Sequence, residues 1–184
     1  AHWVMSAPSS AHAPRPFVAW PSARHLAVSA AWGLLLTLWF FLIYGGADYL
    51  TSLRSDRIHI HLQWELAIPF VPAMLIAYMS IYPLFWLGPF VLRTADEVKS
   101  LVLALGWLVL LGGIGFLLLP AELAFPKPDV PLGWRWLYDI ADRLNLDYNL
   151  APSLHVALSL CCADVYAAQR YSAQQPENTA QRYS

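Results

Sequence analysis

"SLVLALGWLVLLGGIGFLLL", residues 100–119, decides the fold. It runs for 20 residues without a charged side chain. An α-helix rises about 1.5 Å per residue and a bilayer's hydrocarbon core is about 30 Å thick, so about 20 apolar residues cross it. Two further runs have the same character. Leu26–Tyr44 holds 19 uncharged residues and Leu66–Leu92 holds 27. Three such runs in 184 residues exceed what a soluble core absorbs. Composition agrees, since 58% of the chain is hydrophobic and 12% charged, against about 25% charged in a soluble domain. The sequence therefore predicts an all-α, multi-pass transmembrane helix bundle with three full spans.

The formal net charge is -1 and the basic residues do not cluster, so nothing points to nucleic acid. Cys161 and Cys162 are neighbours. Neighbours on a helix point apart, which disfavours a disulfide between them, and they read as small residues packing a helix. The first apolar run is long for a signal peptide and lacks a clear A-x-A site, so it reads as an uncleaved span.

Residues 1–25 are rich in Ala, Ser and Pro and read as a flexible tail. A membrane helical domain over 26–168 and a disordered tail over 169–184 complete the division. The stretch after the first run reads as a polar connection. His59 and His61 alternate there, but a metal site needs a third and a fourth ligand and none is apparent nearby. The second run carries Pro69, Pro72, Pro83 and Pro89. Proline removes a helix hydrogen bond, so this span is expected to be kinked or split near Tyr82–Pro83 and packed inside the bundle. Trp64 and Trp86 are placed at the two interfaces. Thr94 and Glu97 have capping-box spacing just before the third run. Gly106, Gly112, Gly113 and Gly115 within it allow close helix approach.

Residues 120–153 mix prolines, aromatics and both charge signs. Trp136, Leu137, Ile140, Ala141 and Leu144 recur at helical spacing, with Asp139, Asp142 and Arg143 on the other side. That is a short amphipathic helix at the membrane surface. The last apolar run, Leu154–Ala168, has 15 residues and reaches only about 22 Å as a helix. It is a short fourth helix. The pentad "AQRYS" at 168–172 and again at 180–184 looks like a duplication rather than a folded element.

"NLAPSLHVALSL", residues 149–160, carries the chemistry. Ser153 is a good N-cap, and Pro152 before it cannot continue a helix backwards. The first backbone N–H groups of that helix lack internal partners and carry partial positive charge, a natural phosphate site. His155 can offer a proton to an oxygen leaving that phosphate. Arg135 and Lys127 in the preceding loop can supply positive charge. A second reading stays open. Ser153 simply caps the helix, and His155 bonds a backbone carbonyl at the interface.

The residues also carry a resemblance. "PSLH" at 152–155 resembles the Pro-Ser-x-His motif of the type 2 phosphatidic acid phosphatase superfamily, and "SLHV" is most similar to its inositol-phosphorylceramide-synthase-like branch. Leu154 stands where the commoner phosphatase form has Gly. By this resemblance Ser153 binds phosphate and His155 protonates the leaving group as general acid. The family's first motif is Lys, six residues, Arg-Pro. Lys127 and Arg135 correspond only loosely, with seven residues between them and Trp136 in place of Pro. The third motif, which supplies the nucleophilic His and its Asp, is absent, because no histidine follows His155.

The resemblance covers roughly residues 30–168. It implies a multi-pass lipid-phosphate phosphatase or phosphotransferase of the cell membrane, acting through a phosphohistidine, with membrane lipid as partner. It implies neither metal nor cofactor, and it places the 120–153 loop on the non-cytoplasmic face. Without the third motif the chain reads as an N-terminal portion of such an enzyme, inactive as it stands. The alternative is a non-catalytic membrane binding or scaffold protein. A transporter is disfavoured by the lack of charge inside the spans.

Overall fold

The computed structural model describes residues 16–58, 62, 64–121, 127–144 and 151–174. The elements are α1 (Ala23–Phe40), a π-helical turn (Phe41–Gly45), α2 (Gly46–Ser52), a 3-10 turn (Glu65–Ala67), α3 (Met74–Met79), α4 (Ile81–Val91), α5 (Ala95–Leu118), α6 (Leu132–Leu144) and α7 (Leu154–Gln174). Among the described residues every regular element is helical, and one isolated bridge pairs Ile58 with Ala121. Three helical stretches are long and apolar enough to cross a membrane: Ala23–Ser52, Met74–Val91 and Ala95–Leu118.

α1 begins where Ser22 accepts a hydrogen bond from the His25 backbone N–H. It does not stop at Tyr44. The π-helical turn carries it into α2, giving one rod of 30 residues, so the polar connection expected from residue 45 starts only after Ser52. There Arg54 donates to the Leu117 carbonyl at 2.8 Å and pairs with Asp56 at 2.7 Å. This ties the end of α2 to the last turn of α5, whose carbonyls lack helical partners. Part of the expected N-terminal tail is also ordered against the helices. The Ala19 N–H donates to the Phe90 carbonyl, Trp20 packs edge-on against Phe90, and Arg93 donates to the Pro16 carbonyl. Residues 1–15 lie outside the described set.

The second span is shorter than its 27-residue apolar run and is split. Pro69 and Pro72 disfavour helix in the residues before them, and helix begins only at Met74. The break falls at Ser80, just before the Tyr82–Pro83 position expected, and Pro83 then sits in the first turn of α4, where its missing N–H is harmless. Nor is this span enclosed. Met74, Ile76 and Trp86 are all exposed. The enclosed helix is α5. Its Val98, Leu101, Leu105, Val109 and Phe116 are buried at helical spacing and form the main core with Leu154, Leu158, Cys162 and Tyr166 of α7. The expected capping box is present, with Thr94 accepting from the Glu97 N–H at 3.2 Å and Glu97 accepting from the Thr94 N–H at 3.0 Å.

The rods alternate in direction. Trp39 of α1 donates to the Gly106 carbonyl, while Arg54 beyond α2 meets Leu117, so α1–α2 and α5 run the same way. Tyr78 meets His155 and Leu84 meets Tyr166, so α3–α4 and α7 run together. The expected short fourth helix is longer than its apolar run, 21 residues ending at Gln174, or about 31 Å. Its last turn is polar. The boundary expected at 168 therefore moves to 174, and residues 175–184 with the second "AQRYS" lie outside the described set.

Candidate functional site

The glycines of α5 seat the start of α7. A Cβ on Gly115 would meet the Pro152 ring at 2.6 Å, and one on Gly112 would meet Leu154 at 3.1 Å. Pro152 and Leu154 thus occupy the space that α5 leaves open, and this fixes Ser153 between them and His155 just beyond. Ser153 accepts from the Val156 N–H at 3.5 Å. That bond is long, and it leaves the exposed hydroxyl its own proton to donate.

His155 is committed further. Its Nε2 lies 2.6 Å from the Tyr78 carbonyl, and its ring stacks on the Tyr78 ring at 3.9 Å and 19°. A carbonyl only accepts, so Nε2 carries the hydrogen and donates. Tyr78 sits in the last turn of α3, where the helix stops and Ser80 turns its N–H back to Ala77. In an apolar environment a backbone carbonyl beside a helix break needs a donor, and the imidazole supplies one. Further along α7, Tyr166 donates to the Leu84 carbonyl at 2.9 Å. α7 thereby fastens the split span at two points.

Ser153 and His155 line one end of a groove of about 1520 Å³ between α1, α3–α4, α5 and α7. Its walls are apolar, with Phe40, Phe85, Leu105 and Val109 among them. Tyr138, Asp142 and Arg143 of α6 also line it, and because α6 packs by Tyr78, on which His155 stacks, they make this end polar. α6 is held there by Leu137 and Ala141, which pack on Leu75, Tyr78 and Met79. Burial pushes the Tyr138 hydroxyl above its ordinary pKa, and the Asp142 carboxylate adds to this, so it stays a neutral donor.

The residues expected to supply positive charge divide. Lys127 is tied to Asp142, Nζ to Oδ2 at 3.2 Å. Arg135 is exposed on α6 and does not line the groove, whereas Arg143, two turns on, does. Spacing alone does not prefer Arg143, since only the pose of α6 on α3 decides between the two arginines. Tyr78 was also missed. Its only forewarning was Pro83, which announces a fault in the hydrogen-bond ladder nearby. Among the described residues no group of three or more His, Cys, Asp or Glu side chains is placed to hold a metal. His59 and His61 lie outside them, as do His2 and His12.

Comparisons with protein-family models, with curated proteins and with solved structures return no match.

Proposed function

We propose that this chain is a multi-pass membrane protein that binds the phosphate of a membrane lipid at the start of α7. The carrying observation is the joining of a polar end, with Ser153 at a helix N-terminus, to a long apolar groove. Ligand sites for small molecules measure about 300–1,000 Å³. The larger groove suits hydrocarbon chains, and the helix start suits an anion. The resemblance of Pro152–His155 to the lipid-phosphate phosphatase motif points to the same ligand class. The spans cross the cell membrane, and the 120–153 loop faces away from the cytoplasm.

Binding is favoured over turnover on one ground. The donor of His155 is spent on Tyr78. General-acid assistance alone supplies about 10²–10⁴-fold, against the roughly 10²¹-fold reached by enzymes on phosphate monoesters.

Two experiments test the reading. The chain should remain in the membrane pellet after alkaline carbonate extraction, and recovery in the soluble fraction would refute membrane insertion. Purified in detergent, it should bind short-chain phosphatidic acid, and Ser153→Ala should weaken this about tenfold through loss of one hydrogen bond to a charged group. Equal binding by the two proteins would remove Ser153 from the site.

A further inference from the structure

We infer that Arg143, and neither Arg135 nor Lys127, is the cation that selects an anionic headgroup at the polar end of the groove, with the lipid's chains lying between α1 and α4. This rests on the lipid-binding reading above and adds the residue that sets its specificity.

Charge bookkeeping carries the inference. Among the described residues three charged side chains bear on the polar end through α6: Asp142, Arg143 and, through its ion pair, Lys127. Alone, Asp142 would repel a phosphate. Lys127 sits on that carboxylate at 3.2 Å and offsets it. Lys127 therefore acts through Asp142 rather than on the ligand. Arg143 has no ion-pair partner among the described residues and lines the same groove as Ser153. Among the described residues it is the positive charge of that end with no carboxylate paired to it. Its guanidinium offers several donors in a fixed fork, which suits a phosphate better than an ammonium does. Its position in the last turn of α6 is electrostatically favourable in the unliganded state as well. Arg135 lies outside the groove on the same helix, so the two arginines form an internal control.

The groove also sets the ligand's source. Inorganic phosphate could satisfy Ser153 and Arg143, but it would leave the walls of α1, α4 and α5 uncovered. Burial of apolar area contributes about 25 cal/mol per Å², so a chain-bearing phosphate should bind far more tightly than the free ion.

The test measures binding of dioctanoyl phosphatidic acid, dioctanoyl phosphatidylcholine and inorganic phosphate to the full chain in detergent, with gel filtration and circular dichroism as folding checks. The wild type should prefer phosphatidic acid over phosphatidylcholine by about tenfold, and millimolar inorganic phosphate should not displace it. Arg143→Gln should bring the two lipids within about twofold, while Arg135→Gln leaves the preference intact. Lys127→Gln should weaken phosphatidic acid binding, and adding Asp142→Asn should restore it.

Retention of the preference in Arg143→Gln, or its loss in Arg135→Gln, would overturn the assignment. Failure of Asp142→Asn to rescue Lys127→Gln would show Lys127 contacting the ligand directly, against the inference. Displacement by inorganic phosphate at similar concentration would overturn the role given to the chains. If Ser153→Ala still weakens binding while Arg143→Gln changes nothing, lipid binding stands and Arg143 falls. If neither lipid binds the wild type, the underlying reading itself fails.

Discussion

α5 and the α3–α4 pair are both long, uncharged and apolar, yet they are stabilised differently. α5 is self-sufficient. A capping box satisfies its first N–H groups, its backbone ladder runs unbroken for 24 residues, and its glycines let α1 and α7 close in. α3–α4 is not. Proline shortens it, Ser80 breaks it, and α7 adds hydrogen bonds to its backbone through His155 and Tyr166. The difference teaches that a histidine on an apolar helix can belong to a neighbour's backbone before it belongs to any chemistry. The same contacts hold the element that carries Ser153 against the faulted span.

The contrast breaks most severely at the glycines. Gly115→Ala drives a methyl group into the Pro152 ring and should destabilise the protein by about 1–3 kcal/mol through overpacking. Gly33→Ala is the control. A Cβ there meets nothing within 4 Å, so it should be neutral or stabilising by up to about 1 kcal/mol from helix propensity. Thermal stability in detergent, followed by the monodisperse fraction on gel filtration, reads both. Equal effects would mean that α7 is not seated on α5 as described.

Next come the two fastenings of the split span. His155→Ala removes the hydrogen bond to the Tyr78 carbonyl and the ring stack, at a cost of about 1–3 kcal/mol. His155→Gln can still donate to Tyr78 and should recover part of that loss. Tyr166→Phe removes one interhelical hydrogen bond worth about 0.6–1.7 kcal/mol in a membrane. If His155→Gln proves as unstable as His155→Ala, the donor bond is not what matters. On α5 the equivalent loss is local. Thr94→Ala removes the cap and should cost about 1 kcal/mol, leaving lipid binding untouched.

The smallest effect concerns the tie between α2 and α5. The Arg54 guanidinium, bonding the Asp56 carboxylate through two nitrogens, holds that acid down to about 2. A depressed carboxylate contributes stability above its unfolded value, about 3.9, and loses it as pH falls through its folded value. The contribution should therefore fade between about pH 4 and 2. Both groups are solvent-exposed, so the change is small and screened by salt. A pH titration of thermal stability for the wild type and Asp56→Asn checks it, and the two curves should converge at the acid end.

Much of α5 was legible because its signals are local: an uncharged run, a cap at fixed spacing and glycines on the helix. α6 was legible too, from periodicity alone. The extent of α1 was not. Nothing in "GGADYLTS" at 45–52 announces that the helix passes through a π-helical turn and continues, because tertiary packing against α5 overrides two glycines. The prolines announced a fault in the second span, and its repair from α7 was invisible, since His155 and Tyr78 are far apart in sequence. That Ser153 and His155 come together at the start of α7 was readable from residues 152–155. Arg143 was not, because two arginines on one helix can be told apart only by the direction in which α6 faces.

The central claim is that His155 serves as a fastening for Tyr78 and that the site binds phosphate without turning it over. Phosphate release from phosphatidic acid by the reconstituted chain, with His155→Gln beside it, tests this most directly. Both should release phosphate at the protein-free background, and both should stay folded. Release by the wild type well above background, lost in folded His155→Gln, would contradict it, since the imidazole would then be working on substrate and a nucleophile would already be in place.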